Sequence, residues 1–164
     1  MSLDVPSPED YFGHVMGADR KLVRWDRIVD YFMELDKSPM VKVTELGKST
    51  EGNPFIAAFI TSEDNMGRLE EIREKSWKLS HPKDVPEEEI ERAISEGKAV
   101  VAMTMSIHAT EVGGTQMAPE LAWELATQPQ YEEVLEKVVL LLFPCFNPDG
   151  QLMVVDFYEK YLGT

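Results

Sequence analysis

Two short apolar runs constrain this chain more than any other feature. Val100-Val101-Ala102-Met103 and Val138-Val139-Leu140-Leu141-Leu142-Phe143 have almost no polar alternation. Runs of that length suit strands buried on both faces, as in a parallel sheet. Between them lies a stretch with Met117, Leu121, Ala122 and Leu125 on one side, the spacing of a helix. Strand, helix, strand is a βαβ unit, whose crossover is right-handed and whose strands are parallel. Pro119 fits such a helix only in its first turn, where no amide is needed. A short second helix is expected over residues 131–137.

The preceding segment reads as a hairpin and helices. Trp25, Ile28, Val29 and Phe32 fall on one helical face, and Ser38-Pro39 ends that helix. Val41, Val43 and Leu46 begin a strand, and residues 55–60 form another. The glycines and polar residues over 47–53 supply the turn between them. Residues 68–79 predict a charged surface helix broken by His81-Pro82. Residues 86–96 predict a further helix, with Pro86 near its start and Gly97 as its stop. The fold class is therefore α/β, a mixed sheet with an antiparallel hairpin and central parallel strands, flanked by helices. Residues 1–164 read as one unit, with residues 1–20 as an N-terminal arm that holds about one helical turn.

Charge excludes some functions. There are 30 acidic and 16 basic residues, a formal net charge of -14, so a phosphate backbone and an anionic membrane surface are disfavoured partners. Cys145 is the single cysteine, which rules out an internal disulfide and a cysteine-rich metal site. No apolar run approaches the roughly 20 residues of a membrane span, and the N-terminus has no apolar signal region. The chain reads as soluble, with no segment that assigns it to a compartment.

Chemistry is expected outside the carboxyl ends of the parallel strands. The first strand leads into His108-Ala109-Thr110-Glu111-Val112-Gly113-Gly114, and the second into Asn147-Pro148-Asp149-Gly150. Because the strands are parallel and connected, these loops should be neighbours. His108 and Glu111 form an H-x-x-E pair, and imidazole nitrogen and carboxylate oxygen are both zinc donors. Spacing alone is weak support. With 30 acids in 164 residues, an acid three places after one of three histidines arises by chance about half the time. His81 and Asp84 repeat the spacing, but after a surface helix rather than a core strand. The plain alternative for His108 and Glu111 is a solvated or paired set at a strand end. Asn147 and Asp149 read as turn-formers, Met103, Met105 and Met117 as core, Cys145 as a packed thiol, and Glu132, Glu133 and Glu136 as a solvated face.

Taken together, the ordered motifs resemble the zinc carboxypeptidases of the carboxypeptidase A type. Ser106-Ile107-His108-Ala109-Thr110-Glu111 is similar to the strand end that carries that family's first two metal ligands. Asn147-Pro148-Asp149-Gly150 matches its N-P-D-G segment after the next strand. Gly47-Lys48-Ser49-Thr50-Glu51-Gly52-Asn53 is similar to its hairpin turn G-x-S-x-E-G-R, with Asn53 in place of Arg. The likeness covers roughly residues 20–155.

The resemblance implies His108 and Glu111 as two of three protein ligands to Zn2+, and peptide or protein C-termini as substrate. The family's substrate-binding arginines, its Asn-Arg pair, third-ligand His, capping Tyr and general-base Glu follow the N-P-D-G segment. The chain ends soon after that segment, so it reads as an N-terminal portion of the catalytic domain, with catalytic residues none and substrate-binding residues unknown. His14 is not expected to be the third ligand, nor Tyr158 or Tyr161 the capping Tyr. Alone, the chain is expected to bind zinc weakly, to be inactive, and to self-associate through its open sheet. Two other readings stand beside this one: a non-catalytic binding module that kept half of the fold, and a zinc amide deacylase of the aspartoacylase-like kind.

Overall fold

The computed structural model describes residues 5–162. The first four residues of the arm and the last two of the chain lie outside the described residues. Helix α1 (Pro8–Phe12) is the single turn expected in the arm. Helix α2 (Trp25–Leu35) follows, then the hairpin strands β1 (Val41–Lys48) and β2 (Pro54–Ile60). Helices α3 (Glu63–Met66), α4 (Leu69–Ser80) and α5 (Glu87–Glu96) lead to β3 (Ala99–Thr104). The crossover helix α6 (Val112–Thr127), a 3-10 turn and α7 (Glu132–Leu135) return the chain to β4 (Val138–Phe143). Helix α8 (Pro148–Tyr161) completes the fold.

The sheet has the order β1-β2-β4-β3. β1 and β2 pair antiparallel, with a bulge between Glu45 and Gly47. β2 and β4 are also antiparallel, Phe59 opposite Leu141. β3 and β4 are parallel, Val101 opposite Leu140. This topology brings the carboxyl ends of β3 and β4, the start of β2 and the hairpin turn to one edge of the sheet. Every motif singled out above for chemistry or resemblance therefore lies at that edge.

One face of the sheet supplies Val41, Ile56, Ala58, Ile60, Leu140 and Leu142, all buried. Against it pack α2, through Trp25, Ile28, Phe32 and Leu35, and α6, through Ala118, Ala122 and Ala126. Each fully buried large side chain contributes about 1.5–3 kcal/mol of apolar transfer. The small alanines let α6 lie close to α2. Two buried glutamines tie down the segment that leads into α2. Gln116 of α6 accepts from the Val23 amide at 2.7 Å and donates to its carbonyl at 2.8 Å. Gln151 of α8 donates to the same carbonyl at 2.8 Å and accepts from the Trp25 amide at 2.9 Å. The Val23 amide and carbonyl and the Trp25 amide, at the entry to α2, are thus satisfied by side chains rather than by a sheet partner.

Three expectations need correction. All six residues of β3 are exposed, not buried on both faces. β3 has one strand neighbour, and α6 leans on α2 and β2 rather than across β3. Met103 and Met117 are accordingly exposed, at 37% and 50%, while Met105 alone of the three is core. Pro119 lies well inside α6, not in its first turn, because the helix already begins at Val112. Lacking an amide, Pro119 leaves the Thr115 carbonyl without its usual partner one turn later. No helix among the described residues is long and apolar enough to cross a membrane.

Candidate metal centre

His108 and Glu111 sit in the short loop between β3 and α6. The loop turns tightly, the Glu111 amide donating to the His108 carbonyl at 3.0 Å. Glu111 is the N-cap of α6. Both side chains are exposed, and neither forms a hydrogen bond or ion pair among the described residues. Two donors are thus close in the backbone and free to reorient. A nitrogen and a carboxylate oxygen fit zinc in kind. They do not reach its usual number, since among the described residues no group of three or more His, Cys, Asp or Glu is placed to hold a metal.

The two loops at the strand ends are neighbours. The Met105 amide donates to the Phe143 carbonyl at 3.0 Å, and the Phe146 amide to the Met105 carbonyl at 2.8 Å. Asn147 donates from Nδ2 to the Ile107 carbonyl at 3.2 Å, one residue before His108. Ala109 packs onto Gly150 so closely that a Cβ on Gly150 would lie 2.8 Å from the Ala109 Cβ. Gly150 is thus required here by close approach. Below the loops, Phe55, Phe143 and Phe146 form an aromatic trio with ring centroids 5.6–6.2 Å apart.

Asn147 to Gly150 is more than a turn. Asn147 caps α8, its Oδ1 accepting from the Gly150 amide at 3.0 Å, and Pro148 occupies the first helical position. Asp149 reaches across to the hairpin. It accepts from Ser49 Oγ at 2.5 Å, from Asn53 Nδ2 at 2.8 Å and from the Glu51 amide at 3.2 Å. Ser49 Oγ in turn accepts from the Asn53 amide at 2.9 Å. The Ser49 hydroxyl, then Asn53 and the Glu51 amide, hold the Asp149 carboxyl below the usual carboxylate range. The two motifs that look independent in the sequence are therefore one hydrogen-bonded unit. Nothing in a single sequence marks a partner about a hundred residues away.

The remaining residues fall where the plain readings put them. His81 caps α4 and stacks on Trp77, with ring centroids 3.7 Å apart, away from the strand ends. His14 lies in the arm, its Nδ1 3.0 Å from the Val15 carbonyl oxygen. Cys145 is fully buried, and burial pushes its thiol up, so it is not a reactive thiolate. Glu133 pairs with Lys137 at 2.7 Å on an exposed helical surface. Two concavities at the described surface lack His108 and Glu111. One lies between α4 and the far sheet face, lined by Phe59, Ile72, Trp77 and Leu141. The other lies under the arm beside the first turn of α6.

Comparison with known proteins places this geometry. The chain is similar in fold to the crystal structure of carboxypeptidase A from Helicoverpa armigera, with a TM-score of 0.60 and 20% identity. The match covers 85% of this chain and 28% of that one. Thrombin activatable fibrinolysis inhibitor (TAFI) matches with a TM-score of 0.56 and 12% identity, over 89% of this chain and 31% of that. A metallo-carboxypeptidase from Burkholderia cenocepacia matches with a TM-score of 0.52 and 18% identity, over 78% and 27%. The chain thus spans less than a third of each of these structures. No curated protein matches the sequence. The family model for zinc carboxypeptidase matches residues 28–156, a span that holds the hairpin, His108, Glu111 and Asn147 to Gly150. The chain belongs to the zinc carboxypeptidase family.

Proposed function

We propose that His108 and Glu111 are two protein ligands of a catalytic zinc in a metallocarboxypeptidase that removes C-terminal residues from peptides. One observation carries this reading. The H-x-x-E loop and the Asn147–Gly150 segment meet at the carboxyl edge of the parallel strands and are braced against each other through Asn147, Ala109 and Gly150. Zinc bound there supplies Lewis acidity toward a water and a scissile carbonyl. The chain's own contribution is positional. His108 offers an imidazole nitrogen and Glu111 a carboxylate, so Glu111 is a ligand and not the general base. The Asp149 unit keeps the hairpin turn beside them.

These 164 residues alone bind zinc weakly and do not hydrolyse peptides on this reading. Two protein ligands under-hold a catalytic zinc, which usually has three. The test is a zinc titration of the purified chain, of H108A, of E111A and of H81A. The first two substitutions should abolish the binding and the third should leave it unchanged. Equal zinc binding by H108A and the unaltered chain defeats the ligand assignment. Robust release of C-terminal residues from a peptide by the unaltered chain defeats the inactivity. A parallel assay on N-acyl amino acids separates peptidase from deacylase chemistry.

A further inference from the structure

Ser106 is unusual in two ways. It is one of only three non-glycine residues with a positive φ among those described, at +44°. A side chain in the left-handed region is strained, and glycine would relieve it. Its hydroxyl also occupies a place normally held by backbone. Helices α2, α4, α5 and α8 each close their first turn with an amide donating to the N-cap carbonyl, at 3.0–3.1 Å. In α6 the corresponding amide, on Thr115, donates to Ser106 Oγ at 2.9 Å instead. Ser106 Oγ then donates to the Glu111 carbonyl at 2.6 Å. The hydroxyl is inserted between the two backbone groups that would otherwise meet. Room for it depends on Gly114, where a Cβ would lie 3.1 Å from Ser106 Oγ.

The inserted hydroxyl links the end of β3 directly to the backbone of Glu111. It turns the Glu111 carbonyl away from Thr115, leaving Glu111 in a φ of -86° and ψ of 57° that is neither helical nor extended. The carboxylate is carried on that backbone. Asn147 holds the other side of the loop at the Ile107 carbonyl. We propose that Ser106 is a positioning residue for the Glu111 metal ligand, acting through the Glu111 carbonyl. The inference rests on the zinc reading above. It also explains why a strained serine occupies a site that glycine would fill more comfortably.

The decisive variant is Ser106→Gly, because it removes the hydroxyl and the strain together. A purely structural serine predicts that Ser106→Gly is at least as stable and binds zinc as well. A positioning serine predicts undiminished stability with zinc affinity lowered about tenfold, the typical effect of losing a group that orients a ligand. Zinc affinity is read by calorimetric titration of the full chain, and ligand geometry by the visible spectrum of the Co2+ form. Ser106→Thr, which keeps the hydroxyl, should restore most of the affinity and the Co2+ spectrum. Its stability, read by urea denaturation, separates loss of fold from loss of the contact. Unchanged affinity and spectrum in Ser106→Gly, with H108A still abolishing binding, overturns the role of Ser106 alone. If H108A and the unaltered chain bind zinc equally, the metal reading itself has failed, and this inference falls with it.

Discussion

Gly113 and Gly150 should respond in opposite directions to the same substitution. Both lie in the first turn of a helix, Gly113 second in α6 and Gly150 third in α8. At an open helical position, replacing Gly by Ala limits the unfolded chain and stabilises by about 0.5–1 kcal/mol. Gly113 meets that condition, since a Cβ there finds nothing within 4 Å. At Gly150 the same methyl would lie 2.7 Å from Asn147 Nδ2, 2.8 Å from Ala109 Cβ and 2.9 Å from Asn147 Cγ. None of these neighbours is a flexible tip. Ala109 Cβ is fixed to the loop of His108 and Glu111, and the Asn147 carboxamide is held by Ile107 and by the Gly150 amide itself. Overpacking of this kind costs about 1–3 kcal/mol. Set against the helical gain, G150A should lose about 1–2 kcal/mol, and the two variants should differ by about 1.5–3 kcal/mol. Urea denaturation followed by tryptophan fluorescence reads the difference as a shift in midpoint at unchanged slope. Adding A109G to G150A should recover part of the loss, because it removes one of the clashing partners. A G150A variant as stable as the unaltered chain would refute the close approach, as would a G113A variant destabilised by more than about 1 kcal/mol.

The other consequences are simpler to state. Asp149 is held below the normal carboxylate range by Ser49, Asn53 and Glu51, so its contribution is present above its unfolded value, about pH 4, and is lost as pH falls through the lower folded value. The stability gap between the unaltered chain and D149N should therefore be constant near neutrality and shrink below about pH 4 in acid titration; a gap that grows in acid contradicts the network. Gln151→Ala removes two buried hydrogen bonds and leaves the Trp25 amide unpaired, which should cost about 1–3 kcal/mol in urea denaturation. Gln151→Met should not recover that polar part, and full recovery by Met would show that only volume mattered. β3 offers an uncharged, exposed edge with Val100 and Val101 at 46% and 43% exposure, the kind of edge that pairs with other chains. Light scattering should detect self-association that rises with salt, which screens the net charge of -14, and that Val101→Lys suppresses; a monomer at all salt concentrations removes this expectation.

How much could be read beforehand differs by element. The face of α2 was legible because Trp25, Ile28, Val29 and Phe32 repeat at helical spacing, and all four are buried. The hairpin and the parallel pair were legible from apolar runs bounded by turn residues. His108 and Glu111 stand out by position, at the carboxyl end of a strand, more than by their spacing, which His81 and Asp84 share. The burial of β3 was misread. An apolar run reports what a strand can bury, and its neighbours decide whether it does so.

What the sequence by itself determined here is local: strand and helix periods, the helix stops, the donor types at 108 and 111, and the acidic surface. These follow from side chains acting on their own backbone or on a face repeated along a few turns. What only the tertiary structure decided is which distant groups satisfy one another. Asp149 serves a turn about a hundred residues earlier, Gln116 and Gln151 close on Val23, and the Ser106 hydroxyl stands in for a helical hydrogen bond. Each is a polar group whose partner is set by the packing of apolar elements around it. Burial removes water as an alternative, and the nearest complementary atom in space, however far along the chain, becomes the partner.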